Sequence, residues 1–284
     1  MSAIKISGRL GKARIALITV TVEEFDIVRS AFDLKKNLSE TPYYFSSKKG
    51  KSFGLVGCRA PGQTNVISEQ VAGAFVEDFR PDYLILIGTA GGCKGRNVKL
   101  GDVVVADYID FSGYWKFKKG LVLPRKNPHD HPSHFLHRSH IENLRVEPKQ
   151  WRTHVKTRRP KKKGTPPVLH IGNLVSGDLL LGDAGNPTQK FLVDHFDKAI
   201  AFEMEAFGVA RAIFESRSFV RYNPLFLIVR GISDFVDAGA AKNAEMRKEW
   251  TKYAVSTATA VAYELVKRLK RSKMGPHSGG GSTK

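Results

Sequence analysis

Short apolar runs separated by helix-like or turn-like segments constrain this chain more than any other feature. They fall at residues 14–20 (RIALITV), 52–58 (SFGLVGC), 83–87 (YLILI), 102–108 (DVVVADY), 168–175 (VLHIGNLV), 199–203 (AIAFE) and 225–230 (LFLIVR). Runs of this length, rich in Val, Ile and Leu, suit buried strands. Between them Phe25, Val28 and Phe32 recur at helical spacing, and helices are predicted near 65–79, 187–196 and 206–215. A closing helix over about 242–270 carries Trp250, Tyr253, Ala254, Thr257, Val261 and Leu265 near a 3.6-residue period. This alternation predicts an α/β fold, a three-layer sandwich around a central, mostly parallel but mixed sheet.

Charge divides the chain. The net is +19 over 284 residues, and residues 110–165 alone hold 15 Lys and Arg against 4 Asp and Glu. Residues 267–284 add 6 Lys and Arg with no acid, so the rest is close to neutral. The expected organisation is therefore one domain over 1–271, interrupted by a basic insertion at about 110–167 and followed by a flexible tail at 272–284. A solvated insertion explains such charge as well as an anion-binding patch does. No apolar run reaches the roughly 20 residues of a membrane helix, and no secretory signal is evident, so a cytoplasmic protein without a membrane partner is expected. Two cysteines, Cys58 and Cys93, are too few for a disulfide framework. The insertion holds six of nine histidines, with His131, His134, His137 and His140 three residues apart, but Pro132 and the lack of acidic partners argue against a metal. Neither a metal nor another cofactor is expected. The glycine segment 88–92 (GTAGG) reads as a tight turn after a strand and lacks the spacing of a dinucleotide fingerprint or P-loop.

Carboxylates stand where apolar runs stop, the end of an open α/β sheet at which ligands gather. They are Glu23 and Glu24 after the first run, Glu203 and Glu205 around Met204 after the sixth, and Asp234 after Ser233 beyond the seventh. Each has a structural reading too: Glu24 as a first-turn acid, Glu205 as a capping acid, Asp234 as an N-cap.

Taken in order, ALITVTVEEFDIV, IGTAGG, GDVVVADYI, LVSGDLLL, AFEMEAFGVA and IVRGISDFVD resemble the nucleoside phosphorylase/nucleosidase superfamily, and within it the methylthioadenosine/S-adenosylhomocysteine nucleosidases. The resemblance spans about residues 15–269 without the basic insertion. It implies a nucleoside phosphorylase-like fold and cleavage of a purine N-glycosidic bond. That reaction needs an acid at the leaving base, electrostatic support for a ribosyl cation and a nucleophile on the opposite face. The resemblance assigns Asp234 to purine N7, Glu205 to the ribose 2′- and 3′-hydroxyls and Glu24 to the attacking water, with Glu23 an open alternative. It further implies substrate contacts at Thr89, Gly91, Leu180, Leu181, Glu203, Met204 and Ser233, and a homo-oligomer, either dimer or hexamer.

Departures from the pattern inform the substrate. The base-stacking position, often aromatic in such relatives, is Leu180, which leaves base preference open. Phosphorolytic members hold phosphate with arginines in the opening loop and before the glycine segment; here these are TVTVEE and Leu86, so water is favoured over phosphate. Arg158, Arg159 and Lys161 in the insertion are candidates for a 5′-phosphate, which would make the substrate an AMP- or ATP-type nucleotide. The expected activity is thus hydrolytic release of a purine, adenine favoured. Alternatives are a phosphate-dependent phosphorylase and a catalytically idle module binding nucleotides or nucleic acid.

Overall fold

The computed structural model describes residues 12–36, 41–46, 48–49, 52–161, 164–219 and 222–271. The predicted flexible tail at 272–284, with Lys162 and Lys163, lies outside the described residues. Strand β1 (Lys12–Thr19) leads into helix α1 (Val22–Ala31), followed by short strands β2 (Lys35–Lys36), β3 (Tyr44–Phe45) and β4 (Lys48–Lys49). Next come β5 (Ser52–Arg59), α2 (Asn65–Phe79), β6 (Tyr83–Gly92), a single 3-10 turn at Lys94–Arg96, and β7 (Val103–Phe111). The basic segment contains a hairpin of β8 (Trp115–Lys118) and β9 (Leu121–Pro124), then α3 (His134–Leu136), a π-helical turn at His137–Ile141, α4 (Glu142–Val146) and α5 (Lys149–Arg152). The chain closes with β10 (Leu169–Ser176), α6 (Pro187–His195), β11 (Ala199–Glu203), α7 (Ala206–Phe219), β12 (Leu225–Phe235) and α8 (Ala240–Arg271).

The main sheet runs β11-β10-β7-β12-β6-β1-β5-β3-β2. Its neighbours β1 and β5, β1 and β6, β6 and β12, β7 and β10, and β10 and β11 are parallel, while β7 and β12 are antiparallel, so the sheet is mixed as predicted. One half curls until β11 also pairs antiparallel with the end of β6, Ala201 opposite Gly92 and Phe202 opposite Gly91. Period-two alternation divides the core between two faces. Leu84, Leu86 and Ile228 pack with Phe75 and Phe79 of α2 and Val209 and Ile213 of α7. Ile85, Ile87, Leu227 and Val229 pack with Val28 of α1 and Ala258, Val261 and Leu265 of α8. No helix among the described residues is long and apolar enough to cross a membrane.

Two expectations are corrected. The glycine segment 88–92 is not a turn: β6 continues through it, paired with β12 from Tyr83 opposite Leu225 to Gly92 opposite Phe235. The glycines serve instead to let buried side chains cross the strand. A Cβ on Gly88 would sit 2.2 Å from Arg230 Nη1 and 2.8 Å from Glu24 Oε1. Nor is the basic segment a purely solvated excursion. Its hairpin is exposed, with Phe117 at 81%, but Leu136, Ile141, Leu144 and Trp151 are completely buried beneath α8 and the sheet. The four evenly spaced histidines do not share one helix face, since His131 precedes α3: His131 stacks on Tyr108 at 4.1 Å, while buried His137 donates through Nε2 to the Ala106 carbonyl at 2.8 Å. No group of three or more His, Cys, Asp or Glu positioned to hold a metal ion occurs among the described residues.

Candidate active site

Glu24, Thr89, Gly91, Leu180, Leu181, Glu203, Met204, Glu205, Ser233 and Asp234, distant in sequence, line one cleft of about 240 Å³ at the ends of β1, β6, β11 and β12. Glu23 is not part of the lining; its carboxylate lies 3.7 Å from Lys252 on the surface.

Glu24 is the first-turn acid of α1 and also lines the cleft. Its backbone N–H donates to Thr21 Oγ1 at 3.2 Å while its Oε2 accepts from Thr21 N at 2.9 Å, a reciprocal capping box for α1. The same carboxylate accepts from Val20 N at 3.1 Å and, through Oε1, from Thr89 N at 2.9 Å and the Thr89 hydroxyl at 3.2 Å. Capping thus aims the carboxylate across the cleft floor rather than competing with a place in the site.

The capping reading of Glu205 belongs to its neighbour. Glu203 accepts from the backbone N–H of Ala206 at 3.0 Å and of Glu205 at 3.1 Å, closing the start of α7. Glu205 is free to turn its carboxylate to the cleft. Behind the pair lies Arg230, 1% exposed, whose Nη2 donates to Glu203 Oε2 and, at 2.9 Å, to Glu205 Oε2. Burial opposes the Arg230 charge, but Glu203, Glu205 and Glu24 outweigh it and hold the guanidinium above its ordinary range. For Glu205 the balance goes the other way. Burial, reinforced by Glu203 and Glu24 and opposed by Arg230, pushes its carboxyl up to about 7.

Asp234 is not an N-cap, because α8 begins only at Ala240 and Asp234 lies within β12. The pairing of β12 with β6 shifts register between Ile232 and Asp234, and this irregularity aims Asp234 into the cleft. Its Oδ1 accepts from the Ser233 hydroxyl at 2.6 Å and its Oδ2 from Arg247 Nε at 3.1 Å. Arg247 comes from α8, which packs so tightly on β12 that a Cβ on Gly231 would meet the Ala254 carbonyl at 1.9 Å.

The insertion cations lie elsewhere, which corrects their expected place at the sugar's 5′ end. Arg159 stacks over the Trp250 ring at 5.4 Å and donates to the Thr165 carbonyl at 2.8 Å. Lys161 lines a separate hollow with Lys94, Asp237 and Trp250, and Arg158 does not line the cleft. Their segment is pinned against α8, where the Ser256 hydroxyl accepts from the backbone of Lys156 and Thr157 at 3.1 Å.

Sequence reasoning missed Arg230, Arg247 and Gln63. Arg230 left a signal, a lone cation ending an otherwise apolar strand, which in a buried position requires acidic partners. Arg247 left none, because a basic residue in the polar first half of a helix is ordinary. Gln63 sits in the loop before α2 and left none either.

The chain is 23% identical over 266 residues to a 5′-methylthioadenosine/S-adenosylhomocysteine nucleosidase from Exiguobacterium sp., covering 91% of this chain and all of that protein. It is 26% identical over 223 residues to a death domain-containing ATP nucleosidase from Amphimedon queenslandica, covering 75% of this chain and 39% of that longer protein. Among solved structures, the Neisseria meningitidis 5′-methylthioadenosine/S-adenosylhomocysteine nucleosidase in complex with methylthio-immucillin-A shares the fold with a TM-score of 0.65 at 21% identity, over 90% of this chain and 99% of that one. The futalosine hydrolase of Helicobacter pylori also does so, with a TM-score of 0.65 at 17% identity, over 90% of this chain and 98% of that one. A family model for the phosphorylase superfamily matches residues 14–267, and the chain belongs to that superfamily.

Proposed function

We propose that the protein is a purine nucleosidase that hydrolyses the N-glycosidic bond of a nucleoside or nucleotide and releases the free base. The observation that carries this reading is the convergence of Glu24, Glu205 and Asp234 on a single cleft. Nucleosidase relatives from two distant organisms support it.

Each carboxylate suits a different part of the reaction. Asp234, with Oδ1 anchored by Ser233, would take up a proton from solvent at Oδ2, the oxygen that Arg247 now contacts, and deliver it to N7 of a leaving purine. Glu205 would accept the ribose 2′- and 3′-hydroxyls with Met204 against the sugar, and Arg230 behind it fixes its orientation. Glu24 would orient and deprotonate the attacking water by exchanging the long Thr89 hydroxyl bond for one to that water. Glu24, Glu203 and Glu205 place negative charge around the position where the sugar becomes cationic, which favours an oxocarbenium-like transition state. Leu180 and Leu181 would cover the base.

Water fits this cleft better than phosphate as the nucleophile. Among the described residues Arg247 is the single Lys or Arg on the wall, and it is bonded to Asp234. Arg230 is already matched by Glu203 and Glu205. A free phosphate beside Glu24 would face carboxylates with no unpaired cation to hold it. We further propose a homo-oligomer, supported by exposed Phe117 and Leu121 on the β8–β9 hairpin, and light scattering tests it. Neither a metal nor a cofactor enters the scheme.

Base release from adenosine, methylthioadenosine, AMP, ATP, guanosine and inosine, measured with and without phosphate, tests the activity. Free sugar or sugar phosphate as co-product, independent of added phosphate, is expected. Asp234→Asn should lower the rate by about 10² to 10⁴ while leaving the fold intact. Ribose 1-phosphate formation would instead establish phosphorolysis. Salt-sensitive nucleic-acid binding with no base release would point to the idle module.

A further inference from the structure

Arg247 stands in an unusual position for a residue beside a general acid. Its side chain is 29% exposed, and its firm contact is the Nε bond to Asp234 Oδ2 at 3.1 Å. Its Nη2 only approaches the Leu181 carbonyl, at 3.5 Å. Ser233 donates to Oδ1 of Asp234 and Arg247 donates to Oδ2, so the guanidinium and purine N7 compete for Oδ2. A substrate that draws the guanidinium away removes that competition.

The chemistry of a purine nucleotide supplies the means. In the anti conformation the C8–N7 edge of the base lies on the same side as the 5′ carbon, so a cation leaving an N7-directed carboxylate has a 5′ substituent within its own reach. A phosphate there offers a guanidinium two charged oxygens in the forked geometry that it binds best. A hydroxyl or thioether offers no charge and cannot compete with a carboxylate. Thr251, one helical turn after Arg247, lines the same wall.

We propose that Arg247 exchanges Asp234 for the 5′-phosphate of a purine nucleotide, so that one movement both anchors the substrate and frees Asp234 Oδ2 for N7. The inference deepens the nucleosidase reading and rests on it. It assigns the substrate class as purine nucleoside 5′-phosphates, and it moves the phosphate contact from the basic insertion to α8.

The test compares AMP, ATP, adenosine and methylthioadenosine as substrates for the wild type, Arg247→Ala and Arg247→Lys, together with the Tm shift that AMP and adenosine each produce. The wild type should favour AMP or ATP over adenosine in kcat/KM by tenfold or more, the scale of one charge-assisted hydrogen bond. Arg247→Ala should reduce that ratio at least tenfold and remove the extra Tm shift given by AMP. Arg247→Lys, which keeps the charge and loses the fork, should fall between. A wild type that favours adenosine or methylthioadenosine, or an AMP-to-adenosine ratio unchanged in Arg247→Ala, overturns the proposal. If no substrate yields base, the nucleosidase reading has failed; an AMP-specific Tm shift lost in Arg247→Ala then still upholds the phosphate contact, and its absence overturns that as well.

Discussion

Replacing Arg230 by Met probes the electrostatic centre of the site. The guanidinium is enclosed with two carboxylates whose side chains are 1% and 8% exposed, so its removal leaves Glu203 and Glu205 buried without a cation. Breaking such a group by removing one member costs about 3–5 kcal/mol. The structure also fixes how this cost depends on pH. Without Arg230 a buried carboxyl keeps its proton in the folded state, whereas the unfolded chain releases it above its ordinary value of 4.5. Between those two pKa values the folded state binds more protons, so stability falls as pH rises, by up to about 1.4 kcal/mol per pH unit for each group. The wild type undergoes part of this for Glu205 between 4.5 and about 7. The variant, in which the opposing charge of Arg230 is gone, continues to lose stability above 7. Between pH 5.5 and pH 8 the gap between variant and wild type should widen by about 1 kcal/mol, as the proton-linkage slope for Glu205 between about 7 and 8 implies. Urea denaturation of both proteins at the two pH values reads this directly. An identical gap at pH 5.5 and pH 8 would refute the reasoning and leave Arg230 as packing alone.

Three further outcomes follow from the geometry. Ribose recognition should improve as pH rises through about 7, because Glu205 must be ionised to accept two hydroxyls; KM for a ribonucleoside should show that limb and Glu205→Gln should lack it. Thr64 holds φ 117° and ψ 157° immediately before α2, a conformation otherwise kept for glycine, so Thr64→Gly should raise stability by about 1 kcal/mol, measured as a shift in the urea midpoint. Trp151→Ala should destabilise by about 3–5 kcal/mol, because the indole is fully buried under α8; a loss below about 1 kcal/mol would mean that the basic segment is dispensable to the core.

Periodicity and composition made most of the sheet and its flanking helices legible, because buried strands and amphipathic helices leave different spacings. The carboxylates were legible because each follows an apolar run. The glycine segment was misread, since a glycine cluster after a strand has the composition of a turn, and only the presence of β12 beside it shows why side chains are excluded there. The insertion was misread for a related reason. Leu136, Ile141, Leu144 and Trp151 are spaced for a face interrupted by a π-helical turn, so no regular 3.6-residue pattern survives amid the charges. Arg247 was invisible because its meaning depends on a helix crossing a strand 13 residues earlier in the chain.

The pairing of β11 with the end of β6 has a consequence for how the protein breathes. That pairing joins β6, β12, β7, β10 and β11 into a closed circuit, and the strand ends carrying Thr89, Glu203 and Asp234 belong to it. A closed circuit has no free edge from which to fray, so its amides should exchange with solvent only when the whole molecule opens. Leu179 to Leu181, lying in a loop between β10 and α6 with Leu180 65% exposed, are outside it. Amide exchange should therefore divide the cleft into a slow half and a fast half. Entry of a ligand would then be timed by the leucine loop and the first turns of α8, while the carboxylates wait in place.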